Sequence, residues 1–161
     1  MKNWLKIIIL IILIIGVAQF FRPQENFTTA DPVNDIANKY DVPMNVLMDL
    51  YDGCYNCHSN YTKYPWYYNI QPVGWWMAGH IHDAKRHVNF SEFTTYTPQQ
   101  ALKKFKAIKH EMDERGMPLG SYQLMHKKAH FTPEQYKDVS DWAAKMEAQV
   151  QATIDSSNRK Q

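Results

Sequence analysis

The chain has only two cysteines, and both fall in the string Cys54-Tyr55-Asn56-Cys57-His58. The spacing C-x-x-C-H is that of c-type haem attachment. Two thiols so placed reach the two vinyl groups of one porphyrin and become thioether links. The adjacent imidazole then falls under the ring plane as proximal ligand to the iron. The expectation is therefore one haem c, covalent through Cys54 and Cys57, with His58 as a metal ligand. Three other chemistries compete for the same residues. A Cys54–Cys57 disulfide would close a strained loop. A thioredoxin-like redox pair calls for a surrounding βαβ pattern, which the sequence does not display. A zinc site takes four ligands, so two histidines would have to come from far away in the chain.

For the second axial position Met117 is the first choice. It follows Gly116, a helix-terminating residue, and Pro118 stiffens the backbone beside it. A thioether is a weak donor that favours iron(II) and raises the reduction potential. The Met-Pro pair, well downstream of the cysteines, is similar to the ligand loop of small cytochromes c. With eight methionines in the chain, ordinary core filling is the plain alternative. His80 is the alternative sixth ligand, with Trp76 one helical turn before it; its plain reading is a buried, hydrogen-bonded histidine. His82, His87, His110, His126 and His130 read as surface or neighbouring groups, His126 standing nearest the Met117 loop. An open sixth position is the remaining case. Tyr55, Tyr61, Tyr64, Trp66, Trp75 and Trp76 could wall a haem crevice or form a compact core. No Ser-His-Asp set, phosphate-binding glycine loop or paired-acid motif is present, so no catalytic residue is assigned and the chain is not read as an enzyme. Glu111, Asp113 and Glu114 read as a solvated helix end.

Helices must position these groups. Ile7 to Ala18 is an unbroken apolar run, preceded by Lys2 and Lys6 and followed by Phe20 and Phe21. Residues 1–21 are read as a transmembrane helix that anchors the chain, with its amino terminus cytoplasmic. A cleaved signal peptide ending near Gly16-Val17-Ala18 is the alternative. Either way the remainder is exported, the side on which c-type haem is attached. Residues 22–40 read as a polar linker with Pro23 and Pro32, and residues 41–154 as the haem-binding domain. Met44, Leu47, Met48 and Tyr51 share one helical face, and Gly53 ends that helix. Pro72 opens the next, with Val73, Trp76, Met77, His80, Ala84 and His87 in a stripe. Thr97-Pro98 caps a third helix with Ala101, Phe105, Ile108 and Met112 on its apolar face and Gly116 at its end. Thr132-Pro133-Glu134-Gln135 is a capping-box start; Tyr136, Val139, Ala143, Met146 and Val150 follow as a buried face. Residues 155–161 are a polar tail.

The 161 residues allow one domain plus an extension, and the net charge of +2 is scattered, which points away from nucleic acid. No alternating apolar pattern makes a strand, so the domain reads as all-α.

Several further strings occur in order: Cys54 to Asn60, Tyr64-Pro65-Trp66, Gln71-Pro72-Val73 with Trp75-Trp76 and His80, then Asn89-Phe90-Ser91-Glu92-Phe93. Met117-Pro118-Leu119 with Ser121-Tyr122 and His126, and finally Trp142-Ala143, complete the series. From Pro43 to Ala144 the chain resembles a bacterial haem-binding domain family common in Bacteroidetes. The resemblance implies a monohaem, cytochrome c-like helical domain, exported across the inner membrane, with Cys54, Cys57 and His58 as haem-binding residues. Met117, His80 and His126 match family positions. The expected role is one-electron transfer in the periplasm, single-pass in the inner membrane, with redox proteins of the periplasm or inner membrane as partners. The alternative is a haem-based ligand-binding or sensing module, and a peroxidase-like activity would need an open site with a distal base.

Overall fold

The computed structural model describes residues 3–26 and 32–159. Among these residues the chain is helical and forms no β-strand, in keeping with the all-α expectation. The α-helices are α1 (Asn3–Ala18), α2 (Met44–Gly53), α3 (Tyr55–His58), α4 (Val73–His87), α5 (Pro98–Asp113), α6 (Gly120–Gln123) and α7 (Pro133–Asn158). Short 3₁₀ turns join them at Ile36–Asn38, Trp66–Asn69, Phe90–Thr95 and Lys127–Ala129.

The two long helices that form the frame start alike. Thr97 accepts from the Gln100 backbone N–H and Thr132 from that of Gln135, while each glutamine side chain accepts from its threonine's N–H. Proline in the first turn of each is preset for helical φ and has no N–H to leave unpaired. Behind these caps α5 packs along α7 through Ala101, Phe105, Ile108 and Met112 on one side and Val139, Ala143, Met146 and Val150 on the other. Aromatic rings extend the core toward the motif. Phe105 meets Trp142 edge-on at 5.7 Å and Phe93 at 5.0 Å, and Tyr40 closes on both phenylalanines. The Trp142 indole N–H donates to the Asp41 carbonyl.

Five expectations need adjustment. The amino-terminal helix stops at Ala18, giving 16 residues and about 24 Å at 1.5 Å per residue, against about 30 Å of bilayer hydrocarbon. Among the described residues no helix is long and apolar enough to cross a membrane, so the expected transmembrane helix over 1–21 is not seen as such. The physical reason is Gln19, whose side chain caps the Ile15 carbonyl and pairs with Gln71, turning the chain out of the helix. In α2 the buried face is Val46, Asp49 and Leu50, whereas Met44, Met48 and Tyr51 are exposed. Asp49 tolerates burial because Gln135 donates to it from α7; burial still raises its carboxyl above the usual range. Folded structure also reaches back into the stretch read as linker: Ile36 is fully buried in the core and Asp35 beside it is buried. Finally, α5 is closed by Arg115, which takes the left-handed conformation (φ 55°) in place of Gly116 and lays its guanidinium over Tyr136. The Gly116 N–H donates to the Glu111 carbonyl. At the other end of the chain α7 continues to Asn158, into the expected tail, and residues 160–161 lie outside the described ones.

Phe105 is the hub of this frame. Phe105→Ala should lower stability by about 3–5 kcal/mol, the range for deleting a fully buried aromatic ring. Urea unfolding followed by circular dichroism checks it, and a loss under about 1 kcal/mol would mean that the site collapses to fill the cavity.

Candidate haem site

The cysteine motif begins where α2 ends. Gly53 is the last residue of α2, and a Cβ there would come within 2.4 Å of the Phe131 ring and 2.9 Å of Pro118, so only glycine allows this approach. The Cys54 N–H donates to Leu50, and the Cys57 and His58 N–H groups both donate to the Cys54 carbonyl. Cys54 to His58 is thus one helical turn, as the attachment motif requires. Ser59 closes the turn by donating to the Tyr55 carbonyl and accepting from the Tyr61 N–H.

Each residue of the turn has its own environment. Cys54 is buried, and burial pushes its thiol up to about 12; Cys57 is less enclosed, and burial again raises its thiol. Burial thus disfavours the thiolate at both sulfurs and suits them poorly to thiolate redox chemistry. Among the described residues no three His, Cys, Asp or Glu side chains gather as a metal-binding group, so two remote histidines are not drawn to the cysteines. His58 turns Nδ1 to the Val88 carbonyl at 3.1 Å. That bond puts the proton on Nδ1 and the lone pair on Nε2, the arrangement by which metal-binding histidines are oriented. Burial, which outweighs the carbonyl contact, holds its pKa below the ordinary histidine value and keeps the ring neutral at pH 7. Tyr55 stacks on Phe90 at 5.1 Å and donates to buried Asp35, and Phe90 also meets the His58 ring edge-on. Asn60 is held by Ser91 and Asn89. The segment Asn89–Ser91 therefore grips the motif from behind.

In front of Cys57 lies an apolar hollow of about 370 Å³, walled by Trp66, Val73, Trp76, Met77, His80 and Leu119, among others. This explains the stripe on α4. Val73, Trp76, Met77 and His80 do share a face, but the face borders the hollow and leaves Trp76 and His80 exposed. The volume lies within the range of cofactor clefts, and the predominantly apolar lining suits a flat apolar ring. Behind Asn56 is a second hollow of about 950 Å³, more polar, reached by Tyr51, Tyr61, Lys63 and His126. Tyr122 borders both: its hydroxyl accepts from Asn56 Nδ2 at 2.5 Å and its ring stacks on His126 at 3.9 Å.

Of the residues singled out by sequence, Cys57, His80, Trp66 and Trp76 meet at the apolar hollow. Cys54 and His58 adjoin it through the turn without lining it. Met117 is half-buried, packs against the core and does not line the hollow; its neighbour Leu119 does. His126 lies at the polar hollow, Tyr64 is paired with Tyr68 and the Asn26 backbone, and Trp75 lies at the surface. Sequence reasoning does not single out Met77 or Tyr122 as site residues and passes over Met125 altogether, though all three line the hollow. The i, i+1 position of Met77 beside Trp76 on the stripe was a usable signal; nothing local marks Met125. The donor set, the Nδ1-protonated imidazole and the apolar wall together fit a haem held by Cys54, Cys57 and His58.

Comparison with known proteins agrees at the level of family. No curated protein and no solved structure matches the chain. The haem-binding domain family matches residues 13–145, which contain the cysteine turn, its grip at Asn89–Ser91 and the named walls of both hollows. On that match the chain belongs to the haem-binding domain family.

Proposed function

We propose that this haem-binding domain holds one haem c covalently and serves as a one-electron carrier on the outer side of the cytoplasmic membrane. The observation that carries the reading is the single helical turn Cys54–His58, set beside an apolar hollow with the Nδ1 of His58 committed to Val88. Cys54 and Cys57 would supply the thioether sulfurs and His58 the proximal nitrogen. When bound, the haem iron supplies a one-electron couple whose potential the axial ligand and surrounding polarity set. The chain's part is to fix the imidazole, to keep water from the ring with Trp76 and Met77, and to leave an edge accessible. Exposed Trp66 and Trp76 at the hollow support such an accessible edge.

For the sixth position the proposal keeps Met117, whose loop borders the hollow through Leu119. His80 is the second reading, and one observation favours it: its side chain lines the hollow beside Cys57 and that of Met117 does not. The apolar α1, none of whose residues is buried, supports anchorage in the membrane, and Lys2 and Lys6 support a cytoplasmic amino terminus. Redox proteins of the periplasm or inner membrane are the partners this reading calls for.

Expressed as the full chain with c-type maturation, the protein should retain haem through denaturing electrophoresis, and Cys54→Ala/Cys57→Ala should retain none. Absence of covalent haem in the parent chain would end the c-type reading. The oxidised spectrum should be low-spin with the weak far-red band of a methionine–iron bond, lost in Met117→Ala. Persistence of a low-spin spectrum in that variant, with its loss in His80→Ala, would transfer the ligand to His80. High-spin, five-coordinate iron in the parent chain would favour ligand binding or sensing over electron carriage.

A further inference from the structure

Outside α1, five large exposed apolar side chains lie on one stretch of the body; others stand at Met44, Met48 and Tyr51 and at Leu124 and Met125. Trp66 is 73% exposed, Trp76 52% and Trp75 44%, with Ile70 and Val73 between them. They lie on the Trp66–Asn69 turn and the first turn of α4, which pack against each other. Trp66 and Trp76 also border the hollow at Cys57, whereas Trp75 stands outside it; a contiguous exposed apolar patch marks an interaction surface.

The chain leaving α1 is fastened to this same stretch. Gln19 Nε2 donates to the Gln71 carbonyl at 3.2 Å and the Gln71 N–H donates to Gln19 Oε1 at 2.9 Å. The Trp75 indole N–H donates to the Phe21 carbonyl at 2.6 Å. Further on, the Asn26 N–H donates to the Tyr64 hydroxyl and the Tyr68 hydroxyl donates to the Gln24 carbonyl. Residues 19–26 are thus no slack tether. Whatever surface takes up α1 meets the tryptophan patch directly, with Phe20 and Phe21 exposed at the junction and exposed Arg22 beside them.

Because α1 is apolar all round and buries nothing in the protein, its cover must itself be apolar. We infer that the patch Trp66–Trp76 seats the haem domain on the lipid headgroup layer, next to the point where α1 enters the bilayer. Indole rings suit that layer, with an apolar body and a polar N–H at the water boundary, and Arg22 suits anionic headgroups. Trp66, Val73 and Trp76 also line the hollow at Cys57, so the opening of the haem site lies at the membrane surface. This inference rests on the membrane-anchored reading given under Proposed function.

The test uses the haem-loaded full chain in vesicles of phosphatidylethanolamine and phosphatidylglycerol, doped with phosphatidylethanolamine carrying a diazirine on its headgroup. After illumination, adducts are mapped by peptide mass spectrometry. Adducts should appear on α1 and, several-fold above those on the exposed face of α5 at Lys103 and Lys106, on residues 66–76. Trp75→Ser should keep the α1 adducts and reduce those on 66–76. Adducts confined to α1, with or without chain-to-chain crosslinks through the patch, would overturn the seating while leaving the anchor intact. A chain with no adducts at all would overturn both.

Discussion

The stacking of Phe90 on Tyr55 is the contact on which the haem turn depends. A single turn of helix has almost no stability of its own, because nucleation fixes several residues for one or two hydrogen bonds. Here the turn inherits its start from α2 and is braced from behind by a buried ring. Phe90 touches Tyr55 by its face and His58 by its edge, then continues through Phe93 to Phe105 and Trp142. An unbroken path of aromatic contacts thus joins the chemistry to the α5–α7 frame. Val88, two residues before Phe90, delivers the carbonyl that orients His58, so one short segment serves both packing and ligand geometry.

Much of the frame was legible because it rests on local rules. Two T-P-x-Q strings announce the starts of α5 and α7, and the apolar period inside each is clean. The cysteine motif was legible for a different reason: its chemistry needs a fixed spacing. What failed to read was decided by tertiary partners. In α2 the period allows two faces, and the choice goes to Val46 and Leu50 because Asp49 on that side finds Gln135, 86 positions away in the fold's other half, a partner no local window reveals. Ile36 was taken as linker since one isoleucine between polar residues carries no periodicity. Arg115 replaces the expected glycine because its guanidinium finds the Tyr136 ring.

At the site, the stripe on α4 was right in its membership and wrong in its neighbour. Residues with helical spacing normally face a core; Trp76 and His80 instead line an open hollow, and spacing alone cannot separate the two cases. Met117 shows the converse. Its sequence context suits a ligand loop, and its side chain rests against apolar neighbours that any methionine could satisfy. Tyr122 and Asn56 illustrate a third limit. Their hydrogen bond divides the apolar hollow from the polar one, yet each residue is unremarkable where it stands in the chain.

The packing around Gly53 and Cys54 carries a consequence for how the protein is made. With the Phe131 ring and Pro118 set against Gly53 and the Cys54 sulfur enclosed, the finished fold offers little passage to that thiol. Both covering residues come from the second half of the chain. Under the proposed covalent attachment, the Cys54 sulfur would be reached more easily before residues 118–131 pack against Gly53. On that proposal the carboxy-terminal half would close behind the linkage, and the order of attachment and folding would become part of the assembly.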